Sequence, residues 1–334
     1  HMMIQGRAMG QGALACRLAA LVSERDILMY GNTQGLPDPD IEMRLEILDR
    51  IKNGEKLRIP GVRTGLAARI LKAAGMLESR LRKLPGGHGS LSGMAGALND
   101  PVASLLALAY PDRVAGRRPG RKNRFVMASG KGALLRQPGS LTGKDYMVAV
   151  HLDGNPKDAA VFLGAALAES DIRTLFGPRI KQVRATEWDE KAGAVRTSDQ
   201  FWYAQLPLSR VTSPRVDPEA GARVMLAQVR KRGPGCLPWT PKLTSVRERT
   251  LFLRNQPGFD GLPDLSDSAL DKGFEDWLLP FLDQVYSLKQ LGRMDLEGAI
   301  CALLPWDVRQ TLDAHAPTHI RVPSGSRKPL RYTE

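Results

Sequence analysis

Two glycine–lysine pairs could contact a nucleotide phosphate, but their surroundings do not form a phosphate-binding loop. A loop of the G-x-x-x-x-G-K-[ST] type needs a glycine five residues before its Gly-Lys pair and a hydroxyl residue after it. Phe125 and Pro138 occupy that first position before Gly130-Lys131 and Gly143-Lys144, and neither lysine is followed by serine or threonine. The sequence therefore predicts no nucleotide pocket of this type.

Two histidines have the i, i+4 spacing of a zinc-binding helix, but the rest of that motif is absent. Pro317 lies between His315 and His319 and would interrupt the helix, and no glutamate follows His315. The cysteines are far apart, with no C-x-x-C pair that would indicate zinc or a disulfide framework: Cys16, Cys236 and Cys301. We find no credible catalytic set and expect neither a metal nor a cofactor site in this chain.

The remaining candidates for chemistry are basic side chains. The 334 residues include 48 lysines and arginines against 35 acidic residues, a formal charge of +13. Residues 112–215 hold 18 basic and 10 acidic side chains and supply most of this excess. Their densest part has only Asp112 as a nearby acid and contains Arg113, Arg117, Arg118, Arg121, Lys122, Arg124, Lys131 and Arg136. Such a cluster repels itself, so the sequence favours a polyanion as partner, with a solvated face as the alternative.

A second basic group lies on a predicted helix over residues 65–84. Leu66, Ile70, Leu77 and Leu81 recur at helical spacing and form an apolar stripe. The basic residues fall in one row on another side, because 11 residues make about three helical turns. They are Arg69, Lys72, Arg80 and Lys83. Such a row can follow phosphates, but it is at least as often a solvated face.

From residue 124 the apolar period changes from helical to two, which is typical of strands. Residues 124–128, 146–152 and 161–163 are predicted strands, and residues 183–188 and 194–206 flank a hairpin turn. Five short strands with one intervening helix predict a small Greek-key barrel of the OB type. A small open sheet is the alternative.

Aromatic residues accompany the charge in this β region. OB-type sheets bind single strands through a basic groove and aromatic side chains on which bases stack. In the run Phe201-Trp202-Tyr203, strand alternation directs at least one ring to the opposite face. Trp202 is the predicted base-stacking residue, and the alternative is that these rings fill the interior.

The predicted fold class is α+β with several domains. A linker rich in glycine and serine at residues 85–96 separates the first helices from the β region, and helices return after residue 216. We expect domains at residues 1–98, 99–215 and 216–334. No apolar run reaches the length of about 18 residues that a membrane span needs. The sequence also shows no signal peptide, and we expect no membrane association and a reducing cytoplasm as the location.

Several stretches resemble one known family in the family's order. They include LAALVSERD at residues 18–26, YPDRVAGRR at 110–118, ASGKGA at 128–133, PDLSD at 263–267 and APTHIRVPSGS at 316–326. These stretches resemble the part that follows the motor in the bacterial DEAH-type, or DEAH-box, RNA helicases of the HrpB family. The resemblance covers nearly the whole chain.

The resemblance implies a helical, ratchet-like helicase-associated domain, then an OB-like β-barrel, then a mainly helical domain peculiar to the family. The RecA-like motor domains of the family, which bind ATP and Mg²⁺, have no counterpart in this chain. We therefore expect no bound cofactor and no hydrolase activity from this chain alone. Family members usually continue past the PSGSR stretch, so the C-terminus is expected to be shortened too.

Three functional hypotheses follow. The first is an accessory RNA-binding part of an ATP-dependent RNA helicase that guides single-stranded RNA past the motor of the same polypeptide. The second is a protein-interaction module that docks the motor or another partner through the nearly neutral last third, which contains Trp239, Trp277 and Trp306. The third, an independent enzyme, is disfavoured by the negative motif search.

Overall fold

The computed structural model describes residues 1–29, 37–55, 59–84, 95–323 and 325–332. The backbone divides into two compact units. Unit 1 comprises residues 1–183 and 200–209, and unit 2 comprises residues 184–199 and 210–334. The predicted linker at 85–96 lies mostly outside the described residues, and the three-domain division stays a prediction.

Unit 1 begins with helices that bury one apolar face each. They are α1 (Met2–Ala8), α2 (Gly12–Val22), α3 (Ile41–Lys52), α4 (Thr64–Lys83) and α5 (Pro101–Ala109). The stripe predicted on α4 is confirmed in part, since Ile70 and Leu81 are buried while Leu66 and Leu77 are half-buried. Asp100 caps α5 by accepting from the amides of Val102 (2.7 Å) and Ala103 (3.1 Å).

Five strands of unit 1 close into a barrel. They are β1 (Val114–Arg117), β2 (Arg124–Met127), β3 (Gly132–Leu134), β4 (Tyr146–Leu152) and β5 (Asp158–Leu167). Their order is β1-β2-β3-β5-β4, with β4 pairing back to β1 and only β3 and β5 parallel. Phe125, Met127 and Met147 fill the interior because alternate residues of a strand point inward. The prediction of a small closed barrel is confirmed.

The predicted hairpin belongs to a different sheet. After α6 (Glu169–Phe176), strands β6 (Ile180–Asp189), β7 (Ala194–Tyr203) and β8 (Leu206–Ser213) form a separate three-stranded sheet in the order β6-β7-β8. The prediction that this hairpin contributes two barrel strands is therefore wrong. The barrel uses β1 and β3 instead, whose four and three residues are too few to display a clear apolar alternation.

Unit 2 is mainly helical. Its helices are α7 (Pro218–Arg232), α8 (Pro241–Arg254), α9 (Asp267–Lys272), α10 (Phe274–Trp277), α11 (Leu288–Leu291), α12 (Leu296–Leu303) and α13 (Trp306–His315). Residues 267–282 do not form one continuous helix, because the helical stretch is interrupted at Gly273 and ends in a tight turn that contains Pro280. Phe274 and Trp277 lie in the core of the unit.

A two-stranded hairpin follows α13. Its strands are β9 (His319–Arg321) and β10 (Arg327–Pro329), which pair antiparallel. Among the described residues, no helix has the length and apolar character that crossing a membrane requires.

Candidate nucleic-acid interface

The loop between β1 and β2 presents the densest group of predicted cations at one end of the barrel. The amide of Arg121 donates to the carbonyl of Arg118 (3.1 Å), and Gly120 between them has a φ of +71°, which favours glycine. The carbonyl of Lys122 accepts from the amide of Gly143 (3.0 Å). Backbone contacts therefore hold the loop, while the side chains of Arg118, Arg121 and Lys122 are exposed.

We call the five cations of this loop and its flanking strands the loop cluster: Arg117, Arg118, Arg121, Lys122 and Arg124. One carboxylate contacts two of them. Asp158, at the start of β5, lies 2.7 Å from Nη1 of Arg124 and 4.0 Å from Nη2 of Arg118. This contact is on the outer surface, because Phe125, the next residue of β2, points into the barrel.

Residues next to the ends of β4 supply carboxylates to these cations, although they are distant from most of them in sequence. Asp145 pairs with Arg117 (2.6 Å), and Asp153 pairs with Arg136 (2.9 Å). The expectation that Asp112 is the only acid near these cations is therefore wrong. The reason is topological, since β4 and β5 return beside β1 and β3 and bring their loop residues with them.

Asp153 is held ionised by its surroundings. The amides of Asn155 (3.0 Å) and Ala160 (2.9 Å) donate to its carboxylate, and together with the Arg136 guanidinium they lower the pKa of Asp153. Its negative charge therefore persists and offsets the charge of Arg136. For this reason Arg136 adds little free positive charge to the barrel.

The loop cluster keeps a surplus of positive charge after these contacts. Its five cations have two carboxylate partners, Asp145 and Asp158. Within the part of the chain that the structure describes, Arg121 and Lys122 have no ion pair. The arrangement offers an exposed set of guanidinium and ammonium groups on a fixed loop, the chemistry that binds phosphate oxygens.

Arg113 lies away from the loop cluster. Four residues of extended strand, about 13 Å, separate it from Arg117. It is half-buried, donates from Nη1 to the carbonyl of Val150 (2.6 Å), and its guanidinium lies 4.9 Å from the centre of the Tyr110 ring. These contacts give Arg113 a structural role, and its contact with nucleic acid stays a prediction.

Lys131 is exposed in the turn between β2 and β3, near the same end as Arg113. The neighbouring amide of Gly132 donates to the carbonyl of Lys157 (2.9 Å). Lys157 is also exposed, and it therefore lies beside Lys131 at this end of the barrel. Sequence reasoning missed Lys157, because only the parallel pairing of β3 with β5 brings it beside Lys131.

The predicted row of cations lies on one face of α4. The helix is continuous over Thr64–Lys83, and the row is exposed throughout: Arg69, Lys72, Arg80 and Lys83. The row is about 21 Å long, since fourteen residues separate its ends. Arg69 pairs with Glu24 (2.8 Å), and the other three have no acidic partner among the described residues.

Trp202 differs from its aromatic neighbours on β7. The ring of Tyr203 stacks on Phe176 with centroids 4.6 Å apart, and the guanidinium of Arg173 lies 4.9 Å from the centre of the Phe201 ring. Trp202 is half-buried and points to the other face of the strand. Its role in base stacking stays a prediction.

The described residues contain no group of three or more histidine, cysteine, aspartate or glutamate side chains arranged to hold a metal ion. His315 packs edge-on against Phe259 with centroids 5.1 Å apart, and His319 is exposed on β9. The two histidines therefore have separate surroundings, as the interrupted zinc motif indicates.

Comparison with known proteins gives consistent findings. A family described as ATP-dependent helicase C-terminal matches residues 277–334. The chain is 33% identical over 236 residues to the ATP-dependent RNA helicase HrpB of Escherichia coli K12. The chain is homologous to the C-terminal part of HrpB. The matched stretch covers 70% of this chain and 29% of the E. coli HrpB sequence, so the match spans less than a third of that relative.

Two crystal structures of E. coli HrpB are also similar to this chain. One, described as a DExH-box NTPase, is 24% identical with a TM-score of 0.43 and covers 99% of this chain and 37% of HrpB. The other, described as a DEAH/RHA helicase, is 24% identical with a TM-score of 0.39 and covers 97% and 36%.

Proposed function

We propose that this chain is an accessory RNA-binding part of an ATP-dependent RNA helicase. In this proposal it guides single-stranded RNA past RecA-like motor domains of the same polypeptide, in the bacterial cytoplasm. The single observation that carries the proposal is the loop cluster, whose five cations lie at one end of a closed barrel with two carboxylate partners. The E. coli relative is an RNA helicase by name, which favours RNA over other polyanions as the proposed ligand.

The physical basis of the proposed binding is the release of counterions from the RNA. Each phosphate that a lysine or arginine neutralises frees a condensed cation, so affinity falls as salt concentration rises. Contacts to phosphates carry no sequence information, so the chain should bind single strands without marked sequence preference. Trp202 and the cations of α4 would add stacking and a second set of phosphate contacts.

The motor would supply the chemistry in this proposal. ATP and Mg²⁺ would bind the RecA-like domains, and closure of the motor would move the strand. The helical part of unit 1 would grip that strand and the OB-like barrel would guard its path. Nothing in this chain would take part in hydrolysis.

The proposal is tested by the salt dependence of RNA binding. We expect fluorescence anisotropy with a labelled single-stranded RNA to give a negative slope of log K against log salt concentration. Replacing Arg118, Arg121 and Lys122 by glutamine should reduce this slope by about 2, at about 0.7 for each lost phosphate contact.

A matched control removes the same charge elsewhere. Lys272, Lys289 and Arg293 are exposed and have no acidic partner within 4.0 Å among the described residues. Their replacement by glutamine should leave the slope nearly unchanged. Equal effects of the two triple variants, or no binding by the unmodified chain at low salt, would contradict the proposal.

A second candidate function rests on one exposed side chain. Trp306 is 69% exposed at the start of α13, whereas Trp277 is buried and Trp239 half-buried. A large exposed aromatic ring is typical of a protein-interaction site. Docking would be favoured if this chain captures separately expressed motor domains and Trp306→Ala abolishes that capture. The chain should in that case bind no RNA.

A further inference from the structure

Unit 2 contains a stretch of twenty residues near the end of the sequence that has basic but no acidic side chains. Residues 314–333 contain no aspartate or glutamate and four cations: Arg321, Arg327, Lys328 and Arg331. Every residue of β9 and β10 is exposed. In the described ranges of the chain, none of the four cations has a carboxylate within 4.0 Å.

This hairpin differs from the rest of unit 2, where exposed arginines commonly have acidic partners. Such pairs include Arg184–Asp199, Arg196–Asp189, Arg210–Glu187 and Arg223–Glu219. The overall charge of the last third is nearly neutral, so the hairpin is hidden in any average over sequence. The stretch itself is visible in the sequence, and the fold adds that no carboxylate from elsewhere in the described residues pairs with its cations.

The strand register brings two of the cations together. Arg321 and Arg327 are direct partners across the hairpin, and Lys328 is paired with Ile320. Directly opposite residues have Cβ atoms about 4.5–5.5 Å apart, and like charges in this position destabilise the pair. A bound phosphate would reverse this repulsion, because each guanidinium can donate two parallel hydrogen bonds to its oxygens.

Contacts outside the two strands hold the hairpin in place. The amide of Leu330 donates to the carbonyl of Thr318 (2.9 Å), and the hydroxyl of Tyr332 donates to the carbonyl of Pro317 (2.6 Å). The Tyr332 ring packs against Phe252 of α8, with centroids 5.1 Å apart. The arginine pair is therefore presented on a fixed support, and the repulsion between the two is tolerated.

We propose that the β9–β10 hairpin is a second phosphate-binding surface, which contacts the backbone of single-stranded RNA through Arg321 and Arg327. This inference rests on the proposed RNA-binding function and adds a contact in unit 2 that is separate from the loop cluster of unit 1. Lys328 and Arg331 add positive charge around the pair, which raises the local concentration of the polyanion.

The test uses the full 334-residue chain and a labelled single-stranded RNA. Arg321→Gln combined with Arg327→Gln should reduce the slope of log K against log salt by about 1.4, at about 0.7 per phosphate contact. The matched control, Lys289→Gln with Arg293→Gln, removes the same charge from exposed positions of unit 2 and should leave the slope nearly unchanged. Circular dichroism confirms that each variant is folded.

The outcomes separate this inference from the proposed function. If the unmodified chain binds RNA and the hairpin variant keeps its slope, the hairpin inference is wrong while the proposed function stands. If the unmodified chain binds no RNA at low salt, both fail. If hairpin and control variants lower the slope equally, the effect is one of net charge and the inference also fails.

An acidic protein partner is the rival occupant, and a second probe addresses it. A labelled polyglutamate peptide of the same charge as the RNA should bind more weakly than the RNA and depend little on Arg321 and Arg327. Tighter binding of polyglutamate that the hairpin variant abolishes would overturn the assignment to RNA.

Discussion

Arginine has three roles in this chain, and the surroundings of each residue determine which one applies. Arg44 is fully buried, pairs with Asp26 (2.7 Å) and donates to the carbonyl of Asp40 (2.9 Å). Removing one partner of such a buried pair costs about 3–5 kcal/mol. Arg113 is partly buried against a ring, and Arg121 is exposed without an ion pair among the described residues. Only the third kind is free to bind phosphate.

Glu42 has a raised pKa that couples stability to pH. Loss of water around its carboxyl, the hydrogen bond and charge of Asp100, and the charge of Asp40 raise the pKa of Glu42 to about 7, while Lys144 opposes the shift. The folded chain therefore holds this proton where the unfolded chain has released it. The free energy of unfolding should fall as pH rises from the ordinary glutamate value to about 7.

We expect Glu42→Gln to remove this contribution. The melting temperature of the variant, compared with that of the unmodified chain, should increase as pH rises from 5 to 8. The difference should be modest, because residue 42 is exposed and solvent screens its charge. Thermal unfolding followed by circular dichroism at four pH values measures it. Glu248→Gln, an exposed position on α8, is the control, and a gain of the same size and pH dependence there would refute the explanation.

At the scale of elements, the barrel depends on a close approach of two strands. β3 and β5 run parallel, and a β carbon at Gly132 would collide with the carboxyl of Asp158 and the carbonyl of Lys157. Glycine is therefore required where β3 begins. The same contact positions Asp158 beside the arginines of the loop cluster, so packing inside the sheet determines the geometry of the surface.

Gly132→Ala should destabilise the barrel by about 1–3 kcal/mol, the usual cost of inserting a methyl group where no space exists. Urea denaturation measures the change in the free energy of unfolding. Gly75→Ala is the control with the opposite sign, because nothing lies within 4 Å of the added carbon in α4 and alanine favours a helix by about 0.5–1 kcal/mol. A neutral Gly132→Ala variant would show that the strands can separate without cost.

The sequence predicts long elements of this chain well and strand partners poorly. The apolar stripe of α4 and the Asp100-Pro101 start of α5 are visible in the linear order, because helix periodicity and capping are local. The barrel strand β1 and the carboxylate of Asp158 are not visible in this way, since pairing between distant strands creates their roles. For the same reason the alternation at residues 183–206 wrongly predicts barrel strands, although these residues form a separate sheet.

At the scale of the whole molecule, the chain is homologous to one part of a longer relative. The E. coli HrpB match covers 70% of this chain and 29% of the relative. The candidate phosphate contacts occur in both compact units, in the loop cluster of the first and the hairpin of the second. Cations without a carboxylate partner among the described residues therefore occur in both units, and they carry the positive excess.

Incubation of this chain with ATP, Mg²⁺ and RNA should release no phosphate above the buffer background, because the sequence offers no phosphate-binding loop. A coupled phosphate assay measures this, with a complete helicase of the family as the positive control. ATP hydrolysis that copurifies with the chain and scales with its concentration would contradict the proposal that hydrolysis takes place in separate motor domains.

The contact of one carboxylate, Asp158, with two arginines has a consequence for the proposed RNA binding. In that proposal, a phosphate arriving at Arg118 or Arg124 would compete with Asp158, so the net affinity would be the difference between two attractions. The same competition would favour release, because the carboxylate can pair with the arginines again. Each nucleotide would then have a short residence time, and the strand could slide along the surface.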